Sequence, residues 1–451
     1  MRLHGDQDGE SAAVCVTTQL NEDPAMQQIG RVSPAGLGAA VHRCPLAALA
    51  TLVLLAAPVR AQVQDAAFLG LNSNSNHGWS VALSGDTAAV GAPGAHTNSE
   101  GYVYVYRKLA SVWTETQLLA GSTSDKTDWF GYAVASDGDV IAVGDWGESD
   151  GVSGQPGFHR GAAYVFRRSF AASLFVEEER VQPADLLEHD RFGSAIAIDA
   201  DVLVVSARGA DDAGTESGAA YVFRYDGAAW SQEARLVAPA GAAHDRYGYA
   251  LSVSGDTLAV GAESADIAAT DAGAVFVYQF DGATWALQAT LTSEAAVRDD
   301  RFGTALDCQG DTLAVGVPRR DVLGKVNAGV VEVFRRNSGL WTLEDTLAIE
   351  TPAVLDNLGT SVALNDDRLL VGIPNHDGAG PQSGGAALFL REFGVWLPAI
   401  EIFAAPLDNS DQLGRSVAID GDLAVLGAPK VLQNLKRGRV HLYSGVPGAG
   451  P

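Results

Sequence analysis

One tract, Asp245 to Ala262, recurs in altered form along most of the chain, and that recurrence constrains the fold more than any other feature. Tyr249 to Val253 alternates large and small residues, Ser254-Gly255-Asp256 supplies a tight turn, and Leu258 to Val260 opens a second apolar run. This is the signature of two antiparallel strands joined as a hairpin. Aligned copies put one glycine at the start of each unit: Gly78, Gly131, Gly193, Gly248, Gly303, Gly359 and Gly414. The steps between them are 53, 62, 55, 55, 56 and 55 residues. A period of this size with several strands per unit predicts a propeller or a solenoid.

Each unit carries four strand signals. The first follows the glycine, as in Ser194 to Ile198, where small and branched residues alternate. Radially packed sheets need this, because one face must be slim where its neighbour is bulky. Two-residue turns follow, from Gly85-Asp86 to Gly421-Asp422, with residues that tolerate positive φ. A Leu-Ala-Val-Gly type strand comes next, then a variable loop, then an aromatic-rich third strand such as Tyr102 to Tyr106. The fourth begins at Trp113, Phe175, Trp230, Trp285, Trp341 and Trp396, each 18 residues before the next glycine. The seventh unit ends soon after Tyr443 without a fourth strand, while Gln62 to Phe68 precedes the first unit by one strand's length. The expected fold is therefore all-β: a seven-bladed β-propeller of four-stranded antiparallel sheets over 62–445, its ring closed by the N-terminal strand. Residues 446–451 read as a tail.

Residues 1–61 read as a leader. Arg31, His42 and Arg43 precede an apolar run from Cys44 to Val59, and Arg60-Ala61 follows. This is the pattern of a secretory signal peptide cleaved after Ala61. The run is short for a membrane span, so an uncleaved anchor is the weaker reading. The length of the leader suggests that translation begins at Met26, with 1–25 an extension added by the assignment of the start codon. The mature protein is expected outside the cytoplasm: secreted, periplasmic or on the cell surface, with no membrane span after leader removal. The net charge is −25, nearly all of it beyond the leader. An acidic surface repels phosphate backbones and anionic lipid, so no nucleic-acid partner is expected. Of three cysteines only Cys308 lies in the repeats, where it reads as a small buried residue.

The units resemble FG-GAP repeats, the family that includes the integrin α-subunit propeller. Phe130-Gly131, Phe192-Gly193, Tyr247-Gly248 and Phe302-Gly303 carry the resemblance, with Gly91-Ala92-Pro93 and Gly427-Ala428-Pro429. His77, Leu358 and Leu413 depart from the aromatic, and Gly144-Asp145-Trp146 and Ser206-Ala207-Arg208 depart from Gly-Ala-Pro. The resemblance implies adhesion or ligand binding. It also implies calcium as a cofactor, held by Asp-rich loops between strands one and two. Here those loops shrink to hairpin turns with too few oxygens, so no cofactor or metal is expected.

No nucleophile elbow, P-loop or zinc spacing appears. Asp128, Asp190, Asp245, Asp300, Asp356 and Asp411 each sit three residues before their glycine. They either ring the channel mouth as a cation site, or accept N–H groups of their own turns, or pair with Arg191, Arg246 and Arg301. Repetition in every unit favours the turn role. The register of the outer-strand tryptophans favours packing over sugar stacking. The candidate binding residues are Trp146 and His159, in the longest variable loop, and the basic side chains Arg319, Arg320, Lys430, Lys436 and Arg437. The expected function is non-catalytic binding or adhesion, with a protein or glycan recognised by the loops of one face and the protein a monomer. A propeller hydrolase or lyase with a dispersed site, and a structural envelope module, are the rival readings. N-terminal sequencing of the exported protein should begin at Gln62; a product that retains Cys44 would contradict the leader.

Overall fold

The computed structural model describes residues 63–70, 75–94, 101–124, 128–149, 159–169, 171, 173–404, 408–430 and 437–448. The leader with its cut site and Lys436 lie outside the described residues, as do 150–158 of the longest loop. The described chain forms seven antiparallel sheets. The unit at Gly248 shows the plan: Tyr247–Ser254, Thr257–Ala262, Ala274–Phe280 and Trp285–Leu291, paired in that order. Counted along the chain, blades one to seven span 80–119, 133–181, 192–236, 247–291, 306–347, 362–402 and 416–444. Each inner strand packs on the inner strands of both neighbours, and the first packs on the seventh, so the sheets close a ring. The strand Val63–Leu69 completes the seventh sheet as its outer strand, pairing with Arg439–Ser444 from Val63 opposite Ser444 to Leu69 opposite Arg439. The expected propeller and its N-terminal closure are both present.

Glycines set the spacing between blades. A Cβ at Gly427 would stand 2.0 Å from the Gly78 carbonyl oxygen, and one at Gly372 would stand 1.9 Å from that of Gly414. Backbone therefore meets backbone at these seams, which only glycine permits. Beside each seam lies the side chain before the repeat glycine. Phe130, Phe192, Tyr247 and Phe302 are fully buried, and so are their replacements His77, Leu358 and Leu413. The position requires burial, and an aromatic ring is one way to supply it.

A second seam runs along the opposite rim. The first residue of every inner turn has positive φ: Gly85, Gly138, Ala200, Gly255, Gly310, Asp366 and Gly421. Each of these seven N–H groups donates to a side chain of the preceding blade. The acceptors, in the same order, are Asp420, Ser84, Asp137, Asp199, Ser254, Gln309 and Asn365, at 2.5–3.1 Å. The circle passes without a gap through the junction of the seventh and first blades. Its acceptors share one register but differ in chemistry, and so escape a search for identical residues.

The outer strands carry the third link. They bulge at Thr116, Glu178, Glu233, Gln288 and Glu344, each opposite no single partner. Three of these side chains accept the indole N–H of the following blade: Glu178 from Trp230 at 3.3 Å, Glu233 from Trp285 at 3.0 Å, Gln288 from Trp341 at 2.7 Å. These three tryptophans are therefore packed and bonded between blades, while Trp113 and Trp396 are packed with their indole N–H unpartnered among the described residues. Blade six differs from the expected four strands, since its outer strand divides into Val395–Trp396 and Ile400–Ile402. Pro398 lies in the gap and has no N–H to give the ladder. Val446 is buried in the core between blades six and seven, and its N–H donates to the Asp422 carbonyl, so the expected tail begins inside the propeller. Cys308 is buried in its inner strand. Removing residues 62–69 from the chain should lower the melting temperature and expose an aggregation-prone edge; an unchanged melting curve would contradict closure by this strand.

Candidate functional site

The two-residue turns occupy one rim, while the variable loops and the strand four-to-one connections meet at the other. The turn aspartates of that second rim are buried. Asp190, Asp245, Asp300, Asp356 and Asp411 accept the N–H three residues back, from Leu187, Ala242, Val297, Ala353 and Asp408, at 2.6–2.8 Å. They are turn residues, with no ring of free carboxylates among them. Burial raises the pKa of Asp190, Asp245 and Asp411. Arg191, Arg246 and Arg301 do not pair with these aspartates. They adopt left-handed backbone conformations two residues before the glycine and reach instead Glu216 at 3.2 Å, Glu263 at 3.1 Å and Asp299 at 3.3 Å.

The histidines divide by environment. His77 and His441 are buried, and burial pulls both down to about 3. His376 is raised by its hydrogen bond to Asp356 at 3.0 Å. His189 and His244 share φ near +70° (68° and 70°), the turn role that their equivalent positions predict. Among the described residues no group of three His, Cys, Asp or Glu side chains is placed to hold a metal ion.

The basic candidates separate. Arg320 turns inward onto Asp300 at 2.8 Å and donates to Ser293, beside buried Glu332, so it neutralises a buried turn rather than facing solvent. Arg319 and Lys430 are exposed, and Arg437 is half-buried, its carbonyl accepting from His77 N–H and Ser75 Oγ. Trp146 and His159 do come together. Their ring centroids lie 5.5 Å apart, and His159 Nδ1 is 3.0 Å from the Gly147 carbonyl.

Around them stands a cluster that sequence reasoning did not assemble. Trp146 stacks on Trp129 at 5.2 Å and meets Tyr132 edge-on at 5.8 Å; Tyr132 lies 5.5 Å from Trp79. Guanidinium groups cover three of these rings: Arg191 over Trp146 at 5.9 Å, Arg208 over Tyr132 at 5.5 Å, Arg415 over Trp79 at 5.1 Å. Such contacts hold a cation over an aromatic face. Trp79, Tyr132 and Arg415 line the channel mouth, a cavity of about 270 Å³. Beside it Arg191, Arg208, Arg246, Glu216 and Tyr249 line a second cavity of about 190 Å³.

The signal was positional. Trp79, Tyr132, Tyr249 and Arg415 each follow the repeat glycine directly. Trp146, Arg208 and Glu263 occupy the proline position of Gly-Ala-Pro in three consecutive blades. The departures from the repeat thus fall together on one sector of the rim.

A closed ring of seven such sheets is a β-propeller. The FG-GAP repeat family matches residues 71–106, 113–166, 175–223, 230–278 and 285–334, more than half of the chain. The chain belongs to the FG-GAP repeat family. The matches end before blades six and seven, where Leu358 and Leu413 replace the aromatic. No match was found among the curated proteins.

Farther down the channel the inner strands present alanines, with Asp307 among them. Asp307 accepts from Leu364 N–H at 2.7 Å and from Ser252 Oγ at 3.1 Å, tying blade five to blades six and four. Burial pushes its carboxyl up to about 6, against those hydrogen bonds. The folded pKa exceeds the unfolded value, so the folded state holds the proton more tightly between about pH 4 and pH 6. Stability from this group therefore rises as pH falls through that window, by on the order of 2–3 kcal/mol at most. The stability difference between wild type and Asp307→Ala should move in wild type's favour as pH drops from 7 to about 4. A difference that does not change with pH would contradict the shift.

Proposed function

We propose that this protein is a non-catalytic binding propeller, secreted or on the cell surface, that recognises a protein or glycan ligand through the loop-bearing rim. The observation that carries this reading is the contiguous array of Trp79, Trp129, Tyr132 and Trp146 with Arg191, Arg208 and Arg415 at the channel mouth. Packing of the blades does not demand these side chains, since other blades fill the positions of Trp79, Tyr132, Trp146, Arg208 and Arg415 with Ser194, Thr304, Thr360 or proline, and those of Trp129 and Arg191 with Asn76, Asn357 or Gln412. Aromatic and arginine side chains are those that most often dominate binding energy at recognition surfaces. Adhesion-type binding by a monomer fits a single asymmetric patch on a sevenfold scaffold.

The carboxylates of blade two support binding over hydrolysis. Asp145 and Glu148 are buried. Asp145 accepts from Ser124 Oγ and Trp129 N–H, and Glu148 from Arg180, Thr123 and Tyr164. A glycosidase needs a pair of carboxylates that reach the bond being cut. An array of glycans and exported proteins probed with the whole chain should yield a ligand whose binding weakens roughly tenfold or more in Trp146→Ala, the loss of about 1.4 kcal/mol. A ligand held equally well by Trp146→Ala would remove this rim from the account.

A further inference from the structure

The chain has 55 acidic and 30 basic residues, yet its channel mouth concentrates arginines. In the 190 Å³ cavity, Arg191, Arg208 and Arg246 face one carboxylate, Glu216. Glu216 is 3.2 Å from Arg191 and 3.9 Å from Arg246, and Arg246 is also held by Glu263. Arg208 has no carboxylate partner among the described residues. Its one hydrogen bond is to Tyr132 Oη at 3.4 Å, and its Nε is buried without a partner. Arg415 likewise pairs with no carboxylate among the described residues and lies over Trp79. Arg208 lies over Tyr132 and Arg415 over Trp79, and those two rings are 5.5 Å apart, so the two guanidinium groups cover neighbouring rings.

Charge alone would not select a ligand. Three features together do. Uncompensated guanidinium groups offer paired N–H donors to a carboxylate or sulphate. Rings beside them offer flat faces for an apolar sugar face. The 190 Å³ cavity has charged or hydroxyl-bearing walls, which suit a polar ligand better than an apolar side-chain anchor, while the channel mouth beside it also presents apolar inner-strand residues. We propose that the channel mouth binds an anionic glycan, with Arg208 and Arg415 holding the carboxylate or sulphate of a sugar that lies against the Trp79–Tyr132 face. This rests on the reading that the loop-bearing rim is the ligand site, and it specifies the ligand's chemistry. Arg191 and Arg246, already braced by Glu216, shape the cavity and set its field.

The test is titration calorimetry on the whole exported chain. The probes are a hexuronate tetrasaccharide, a sulphated neutral-backbone tetrasaccharide, the unsulphated tetrasaccharide and a glutamate-rich peptide. At least one anionic sugar should bind roughly tenfold or more tighter than the neutral one, and weaken as salt is raised. Which of the two binds identifies the anion. Arg208→Gln and Arg415→Gln should each lose roughly tenfold with unchanged melting curves, since neither breaks a carboxylate pair among the described residues, and Arg319→Gln should bind as wild type. The inference is overturned if neutral and anionic sugars bind alike, if Arg208→Gln binds as wild type, if the peptide is preferred, or if none of the four binds. Array binding that still depends on Trp146 would then show that the rim remains the ligand site and only its chemistry was misassigned.

Discussion

Seven backbone N–H groups, one per inner turn, each find a side chain on the preceding blade, and the rest of the structure depends on that circle. A single blade has no way to satisfy it. The turn residue needs positive φ to form the hairpin, and its N–H points across the seam rather than along its own ladder. Each bond adds on the order of 0.5–1.5 kcal/mol. Together they fix the rotation of each blade against its neighbour. The close approach of Gly427 to Gly78 and its equivalents fixes the separation. Rotation and separation together leave little freedom in the number of blades.

That rigidity places the functional rim. The residue directly after each repeat glycine emerges beside the seam at the channel mouth. The proline position of Gly-Ala-Pro emerges beside it, one blade away. When the seam is fixed, a side chain at either position has its place in space fixed too. Trp79, Tyr132 and Arg415 come from three blades that are distant in sequence, yet they share one mouth, and Tyr249 of a fourth blade lines the cavity beside it. The scaffold repeats so that the site need not. Recognition is carried by positions where packing is indifferent to the residue, while glycines and buried rings carry the fold.

The sequence made the architecture legible because packing acts identically in every unit. Seven glycines, seven turns and six aromatics in fixed register gave the blade count, and the orphan strand at 62–68 gave the closure. The break at Pro398 was visible as a proline but not as an interruption, since the flanking apolar residues keep strand character. The turn aspartates were read correctly because a repeated residue implies a repeated local bond. The site was less legible for the converse reason. Trp146 and His159 stood out through loop length, and Arg208 through its departure from Gly-Ala-Pro. The union of Arg208 with Tyr132, Tyr249 and Arg415 requires knowing which blades are neighbours across the mouth. Arg320 looked like a free surface charge, but sequence spacing gives no sign that Asp300 and Glu332 lie within its reach.

Native-state hydrogen exchange at the inner-turn amides probes the circle directly. Gly85 is the decisive group, because its partner Asp420 lies 335 residues away and belongs to the blade completed by the N-terminal strand. A surface turn amide without a partner exchanges at nearly the rate of an unstructured peptide. If the ring is closed, the Gly85 amide is protected to about the same degree as those of Gly138, Gly255 and Gly310. Free exchange at Gly85, beside protection at the other three, would contradict a closed propeller.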